Sequence, residues 1–305
     1  MKVLVSTSSF CEFSNSPLGL LENEKLEIIE NPYSRKMKPE EILNIAKDVD
    51  YVVAGTETYN PALIDEMSNL KIISRVGVGL DNIDLHYAKK KGIKIFNTSL
   101  SPSLSVAEFT LSLMLSSLKN LNKNFLSGKN GSWIKNYGTL LSNKVVGIVG
   151  AGNIGKKLID FLDKFNNKIL IFDILEDSYL KNKKNVTYTS IQEVFKSSEI
   201  ISIHLPLTEE TKYLIDSKLL KIMKEDTLLI NTSRGEIINE KDLFSFLKRN
   251  KKVHACLDVF EVEPYQGPLM ELKNLNITPH VSAYAKETRI DMELEAVKNL
   301  IYSLN

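Results

Sequence analysis

The chain has 305 residues, 43% hydrophobic and 25% charged, which is enough apolar material for two cores of ordinary size and excludes a disordered or fibrous protein. A net charge of +1 gives no field to gather nucleic acid or an anionic membrane, and the basic clusters at 181–184 and 248–252 are interrupted by asparagine and read as solvated surface. No stretch approaches the roughly 18 uncharged apolar residues that span a bilayer. The opening MKVLVSTSS is too short for a secretory signal, and Cys11 and Cys256 lack metal or redox spacing. A cytoplasmic protein with free thiols and no bound metal is expected.

Short apolar runs alternate with helical patterns along the chain, the signature of parallel sheets covered by helices. KVLVS (2–6), DYVVAG (50–55), LKIIS (70–74) and IKIF (93–96) predict strands; PEEILNIAKD and PALIDEMS, each opening on proline, predict helices between them. SPSLSVAEFTLSLMLSSLKN (101–120) predicts a long helix, apolar on most of its circumference, that must be buried between domains or against a second subunit. An irregular arm with Gly128, Gly131, Trp133 and Gly138 follows.

A second series then offers seven candidate strands: 144–150, 168–173, 185–188, 199–205, 226–233, 252–260 and 274–280. That is enough for a complete dinucleotide domain. A last amphipathic helix covers 284–304.

Within the second series, GIVGAGNIG (147–155) places Gly150, Gly152 and Gly155 after a strand and at the start of a helix. A tight turn, close approach to a pyrophosphate and close helix packing each need the absence of a side chain, and the helix N-terminus, with Asn153 and Ile154, offers N–H groups to phosphates. The spacing alone also fits a plain strand-to-helix turn. Asp173 ends the next strand 18 residues after Gly155, where an acid hydrogen-bonds a ribose hydroxyl pair and repels a 2′-phosphate, so NAD is expected over NADP.

Of the four histidines, His86 lies on a lysine-rich helix face and His254 in mid-strand, whereas His204 and His280 stand near carboxyl ends of strands, where open α/β sheets place ligands. Taken singly, Arg234 could be a surface ion-pairing residue, Glu263 a loop acid and Pro279-His280 a turn.

In order along the chain, GIVGAGNIG, HLPLT (204–208), NTSRGE (231–236), LDVFEVEP (257–264) and TPHVSA (278–283) resemble the D-isomer-specific 2-hydroxyacid dehydrogenases. RVGVGLDNID (75–84) resembles the substrate loop of the phosphoglycerate dehydrogenase-like branch. The resemblance implies two doubly wound parallel-sheet α/β domains, with a Rossmann cofactor domain at 101–283 inserted into a flavodoxin-like substrate domain at 1–100 that 284–305 completes. The substrate domain would supply the second wall of a closing cleft.

The same resemblance implies the roles. His280 is the acid and base, Glu263 orients it and raises its pKa, and Arg234 binds the substrate carboxylate or polarises the carbonyl. Asp258 holds the nicotinamide carboxamide, Thr232, His204 and Pro206 line the cofactor, and Val76, Gly77 and Val78 form an anion-binding turn for the substrate. The implied protein interconverts a small D-2-hydroxy acid and its 2-oxo acid with NAD; the apolar helix at 104–120 suggests a homodimer through the cofactor domain.

Two alternatives stay open: D-3-phosphoglycerate dehydrogenase itself, and a non-catalytic protein that senses NADH. In the serine pathway an arginine after the third strand helps hold the substrate phosphate; Ala54 aligns there, with Arg75 nearby. The sequence stops at Asn305 without the regulatory domains of longer relatives, so serine feedback is not expected.

Overall fold

The Val/Ile-rich runs become strands buried on both faces because helices cover both sides of the sheets, leaving no polar face to alternate with. A computed structural model of the chain describes residues 1–303, so Leu304 and Asn305, the end of the segment expected to complete the first domain, lie outside the described residues. Contacts divide the chain into two units, Met1–Pro102 together with the chain from Tyr284 onward, and Ser103–Ala283.

In the first unit β1 (Lys2–Val5), β2 (Glu27–Glu30), β3 (Tyr51–Ala54), β4 (Ile72–Arg75) and β5 (Lys94–Phe96) form a parallel sheet in the order β2-β1-β3-β4-β5. This is the flavodoxin-like order. The helices Pro39–Ala46, Pro61–Glu66 and Leu85–Lys90 cover one face through a core that includes Leu4, Ile42, Val52, Leu63 and Ile73. The helices Ser16–Asn23 and Lys286–Tyr302 pack together, the latter against β3, β4 and β5. Ser74 Oγ, buried in β4, donates to the Ala296 carbonyl at 2.7 Å.

One strand was not foreseen in the sequence. The β2 segment reads EIIE, two apolar residues between two acids, and survives as a strand because it pairs only with β1 at the sheet edge, where half of it faces water.

In the second unit all seven expected runs are strands: β6 (Val145–Val149), β7 (Lys168–Phe172), β8 (Val186–Tyr188), β9 (Ile200–Ile203), β10 (Leu228–Asn231), β11 (His254–Leu257) and β12 (Leu275–Ile277). Their order is β12-β11-β10-β9-β6-β7-β8, all parallel, which is the Rossmann order with one further strand on the edge. One core joins the sheet to the helices Ile191–Ser197, Ser217–Lys221 and Glu240–Arg249; the other joins it to Ser103–Leu118 and Asn153–Leu162.

The long helix Ser103–Leu118 buries its face against Asn153–Leu162 and β10 of its own unit. Its apolar circumference is therefore spent largely within the cofactor unit. The segment after it exposes a run of apolar side chains: Phe125, Leu126, Ile134 and Leu140 are exposed, Trp133 retains 76% and Tyr137 90% of its surface.

Candidate active site

The glycine turn follows β6 because its backbone must reverse in almost no space. Gly150 has φ of +97°, and a Cβ there would lie 2.6 Å from the His204 carbonyl oxygen; a Cβ on Gly155 would lie 2.4 Å from the Gly150 carbonyl oxygen. Turn, β9 end and helix thus interlock through backbone alone. Gly152 faces open space and caps the helix Asn153–Leu162 without a side-chain hydrogen bond, and that first turn carries no acid. The N–H groups of Asn153, Ile154 and Gly155, orphaned by helix geometry, are left for an anion.

Asp173 follows β7 and bends back to this turn: Oδ2 accepts the Ala151 N–H at 2.6 Å and Oδ1 the Leu175 N–H at 3.0 Å. A carboxylate has more acceptor positions than these two bonds use, and they hold it beside the turn. Glycines, bare helix N-terminus and fixed acid together fit the pyrophosphate and ribose of NAD.

After β9, His204 Nε2 lies 2.9 Å from Ser202 Oγ, and burial pushes the imidazole pKa down to about 4, so this ring is neutral at neutral pH. Pro206 is exposed, and its carbonyl accepts the Thr211 hydroxyl at 2.7 Å. Thr232, buried just beyond β10, has its Oγ1 3.2 Å from Thr110 Oγ1 on the long helix.

The pair expected to carry the proton chemistry, His280 and Glu263, is assembled from two loops. His280 Nδ1 and Glu263 Oε2 stand 2.7 Å apart, and Glu263 Oε1 accepts the Phe260 N–H at 3.0 Å. Partial burial works against ionisation of Glu263, but the His280 hydrogen bond and charge, the Phe260 N–H and the Arg234 guanidinium outweigh it and hold the carboxyl below its ordinary range. An ionised Glu263 can only accept, so Nδ1 carries the proton and Nε2 is the nitrogen left for substrate.

Arg234 is shaped by a residue that pattern reading passed over. Asn231, at the end of β10, accepts the Ser233 N–H at 3.0 Å and Ser233 Oγ at 2.7 Å through Oδ1, and donates through Nδ2 to the Arg234 carbonyl at 2.8 Å. The Arg234 guanidinium in turn donates to the Ser233 carbonyl at 2.7 Å. The available signal was an asparagine followed two residues later by a serine at a strand end, which is an Asx-turn.

Asp258 is fully buried, and its carboxylate grips the loop of His280. Oδ1 accepts Thr278 Oγ1 at 2.6 Å and the Val281 N–H at 2.9 Å, and Oδ2 accepts the Ser282 N–H at 2.9 Å. His280 itself has φ of +54°, a conformation that side chains with a Cβ disfavour, and these bonds bracket it.

In the first unit, the turn after β4 has fewer open donors than its sequence promises. The Val76 N–H is spent on the Ala54 carbonyl at 2.8 Å and the Gly77 N–H on Thr98 Oγ1 at 2.7 Å. Among the described residues no hydrogen bond engages the N–H groups of Val78 and Gly79, so these two are the donors available to a carboxylate. His86 is exposed and His254 half-buried at the start of β11. Among the described residues no group of three or more His, Cys, Asp or Glu could hold a metal, and no helix is long and apolar enough to cross a membrane.

Comparison with known proteins gives the following. Residues 111–282 match the family described as D-isomer specific 2-hydroxyacid dehydrogenase, NAD binding domain. A hydroxypyruvate reductase of Thermotoga maritima is 35% identical over 292 residues, covering 93% of each chain. A D-3-phosphoglycerate dehydrogenase of Methanocaldococcus jannaschii is 35% identical over 269 residues, which is 86% of this chain and 51% of that protein. Among solved structures, the D-lactate dehydrogenase of Aquifex aeolicus complexed with NAD and lactic acid superposes with a TM-score of 0.89 at 28% identity, covering 99% of this chain and 95% of the other.

Proposed function

Because the chain belongs to the D-isomer-specific 2-hydroxyacid dehydrogenases, which are NAD-dependent oxidoreductases, we propose that it reduces a short, unphosphorylated 2-oxo acid of glyoxylate or hydroxypyruvate size to the D-2-hydroxy acid. The observation that carries this reading is the hydrogen-bonded Glu263–His280 pair with the Arg234 guanidinium acting on it, in the loops after the cofactor strands. Bound NAD supplies the hydride donor or acceptor. His280 Nε2 gives a proton to the carbonyl oxygen during reduction and takes the hydroxyl proton in the reverse direction. Glu263 fixes the ring through Nδ1, and Arg234 holds the carboxylate or polarises the carbonyl.

Substrate size is argued from the first unit and the relatives. We assign the substrate carboxylate to the turn after β4, through the N–H groups of Val78 and Gly79. Ala54 stands where a phosphate-holding arginine is expected, and Glu57, which follows it, is a buried acid that offers a phosphate no cation. Several relatives of 31–35% identity are named glyoxylate reductases, from Pyrococcus furiosus and Thermofilum pendens among others. The relative named D-3-phosphoglycerate dehydrogenase keeps the phosphorylated substrate as the second reading.

The test is NADH oxidation against glyoxylate, pyruvate, hydroxypyruvate, phosphohydroxypyruvate and 2-oxoglutarate, with His280→Ala as control. A higher specificity constant for the phosphorylated acid overturns the substrate reading. Tight NADH binding without turnover of any acid replaces it with the sensor reading.

The exposed apolar arm around Trp133 and Tyr137 supports a homodimer formed through the cofactor unit. A monomer in sedimentation at micromolar concentration would remove that part. The free thiols Cys11 and Cys256 support a cytoplasmic setting.

A further inference from the structure

We propose that Glu57 is a positioning residue for the Gly77–Gly79 turn, acting through Gly55 and Arg75, so that it sets the affinity for the 2-oxo acid without touching it. The proposal rests on the reading that this turn receives the substrate carboxylate.

Glu57 follows β3 and retains 1% of its surface. A carboxyl so deeply placed is costly unless hydrogen-bonded. Its Oε2 accepts Ser6 Oγ at 2.8 Å and the Gly55 N–H at 2.8 Å, and Ser6 Oγ lies 3.0 Å from the hydroxyl of the fully buried Tyr59. Burial pushes the Glu57 carboxyl above its ordinary range, against these hydrogen bonds and the field of Lys36.

The bonds run on from there toward the turn. With its N–H fixed by Glu57, Gly55 presents a carbonyl that accepts Arg75 Nε at 3.3 Å and Asn82 Nδ2 at 3.3 Å, and Asn82 Nδ2 also reaches the Glu57 carbonyl at 2.6 Å. The Arg75 guanidinium lies directly on Gly77: a Cβ there would fall 2.3 Å from Nη1, and φ of +142° adds a backbone conformation that suits glycine. Gly77 is pinned on its other side by Thr98 Oγ1. The direction of the next two N–H groups, Val78 and Gly79, therefore depends on where Arg75 lies, which depends on Gly55, which depends on Glu57.

Position in the sheet favours a functional role over simple loop anchoring. Ser6 follows β1 and Glu57 follows β3, neighbouring strands at which the order β2-β1-β3-β4-β5 changes direction. Open α/β sheets bind ligands outside the carboxyl ends of the strands at that switch point.

The experiment compares steady-state kinetics of Glu57→Leu, Glu57→Gln, Gly77→Ala and Tyr59→Phe with the unaltered enzyme, together with thermal midpoints. Leucine removes the acceptor and is expected to raise KM for the best 2-oxo acid about tenfold, with kcat and KM for NADH within about twofold. Glutamine keeps one acceptor oxygen and is expected to recover most of the loss. Tyr59→Phe lowers the thermal midpoint without moving that KM, which separates positioning from stability. Gly77→Ala raises the same KM if the turn binds substrate. A raised KM in Gly77→Ala beside an unchanged KM in Glu57→Leu overturns the proposal alone. Unchanged KM in both overturns the substrate reading of the turn and the proposal with it. Should the leucine protein not fold, Ser6→Ala removes one of the two donors to Oε2 and is expected to raise KM about threefold; no change there overturns the proposal.

Discussion

His280 Nδ1 and Glu263 Oε2 are 2.7 Å apart, and this contact fixes which ring nitrogen can work. Because Glu263 is held ionised, replacing it by glutamine removes the charge opposite His280 while keeping the shape. His280→Ala is expected to lower kcat by about 10²–10⁴-fold and Glu263→Gln by a smaller factor, both with unchanged NADH affinity. Fluorescence titration of NADH beside turnover checks this. Near-normal turnover in His280→Ala would move the proton chemistry to another group.

Asp258 holds the loop that presents His280, and among the described residues no other group satisfies its three donors. Asp258→Asn turns one acceptor edge into a donor facing a backbone N–H. Each buried donor left unsatisfied costs about 1–3 kcal/mol, so both the thermal midpoint and kcat should fall. The kcat loss is expected to exceed the change in KM for NADH. If NADH affinity alone falls, Asp258 serves the cofactor directly and the loop is held by other means.

Much of this site was legible in the sequence because its parts are backbone turns with steric rules. Gly150 and Gly155 declare themselves because nothing larger fits, and Asp173 by its distance from them. Other features depend on long-range pairing that no local pattern reports. Neither the spending of the Val76 and Gly77 N–H groups on Ala54 and Thr98, nor the approach of Asp258 to Thr278, can be read from spacing. The edge strand β2 escaped because only its pairing with β1 makes EIIE a strand. No spacing or motif singles out Glu57 in the sequence, and only its burial does.

Asp173, the proposed ribose acid, also accepts the Ala151 N–H of the glycine turn at 2.6 Å. Asp173→Ala should narrow the ratio of specificity constants for NADH over NADPH, because the ribose loses its acceptor and a 2′-phosphate loses its repulsion. It should also weaken NADH itself, since the turn loses a tether. Asp173→Asn retains an acceptor for Ala151 and should recover the tether without the charge. An unchanged ratio in both variants assigns discrimination to another residue.

His204 makes the enzyme's stability depend on pH in a direction that can be worked out. Its pKa falls from 6.5 to about 4 on folding because burial disfavours the charged ring. Between those values the unfolded chain binds a proton that the folded chain refuses, so stability rises with pH across this window and is lost as pH falls from 6.5 toward 4. More than about one unit above 6.5 the ring is neutral in both states and contributes no slope. At about 1.4 kcal/mol per unit, this amounts to about 2 kcal/mol between pH 6.5 and 5, an upper figure because the residue keeps some exposed surface. His204→Gln cannot titrate and keeps a partner for Ser202 Oγ, so it should be the less pH-sensitive protein on the acid side. Urea denaturation of both proteins at pH 7 and pH 5 decides it, and equal losses in the two would show that other groups carry the acid sensitivity.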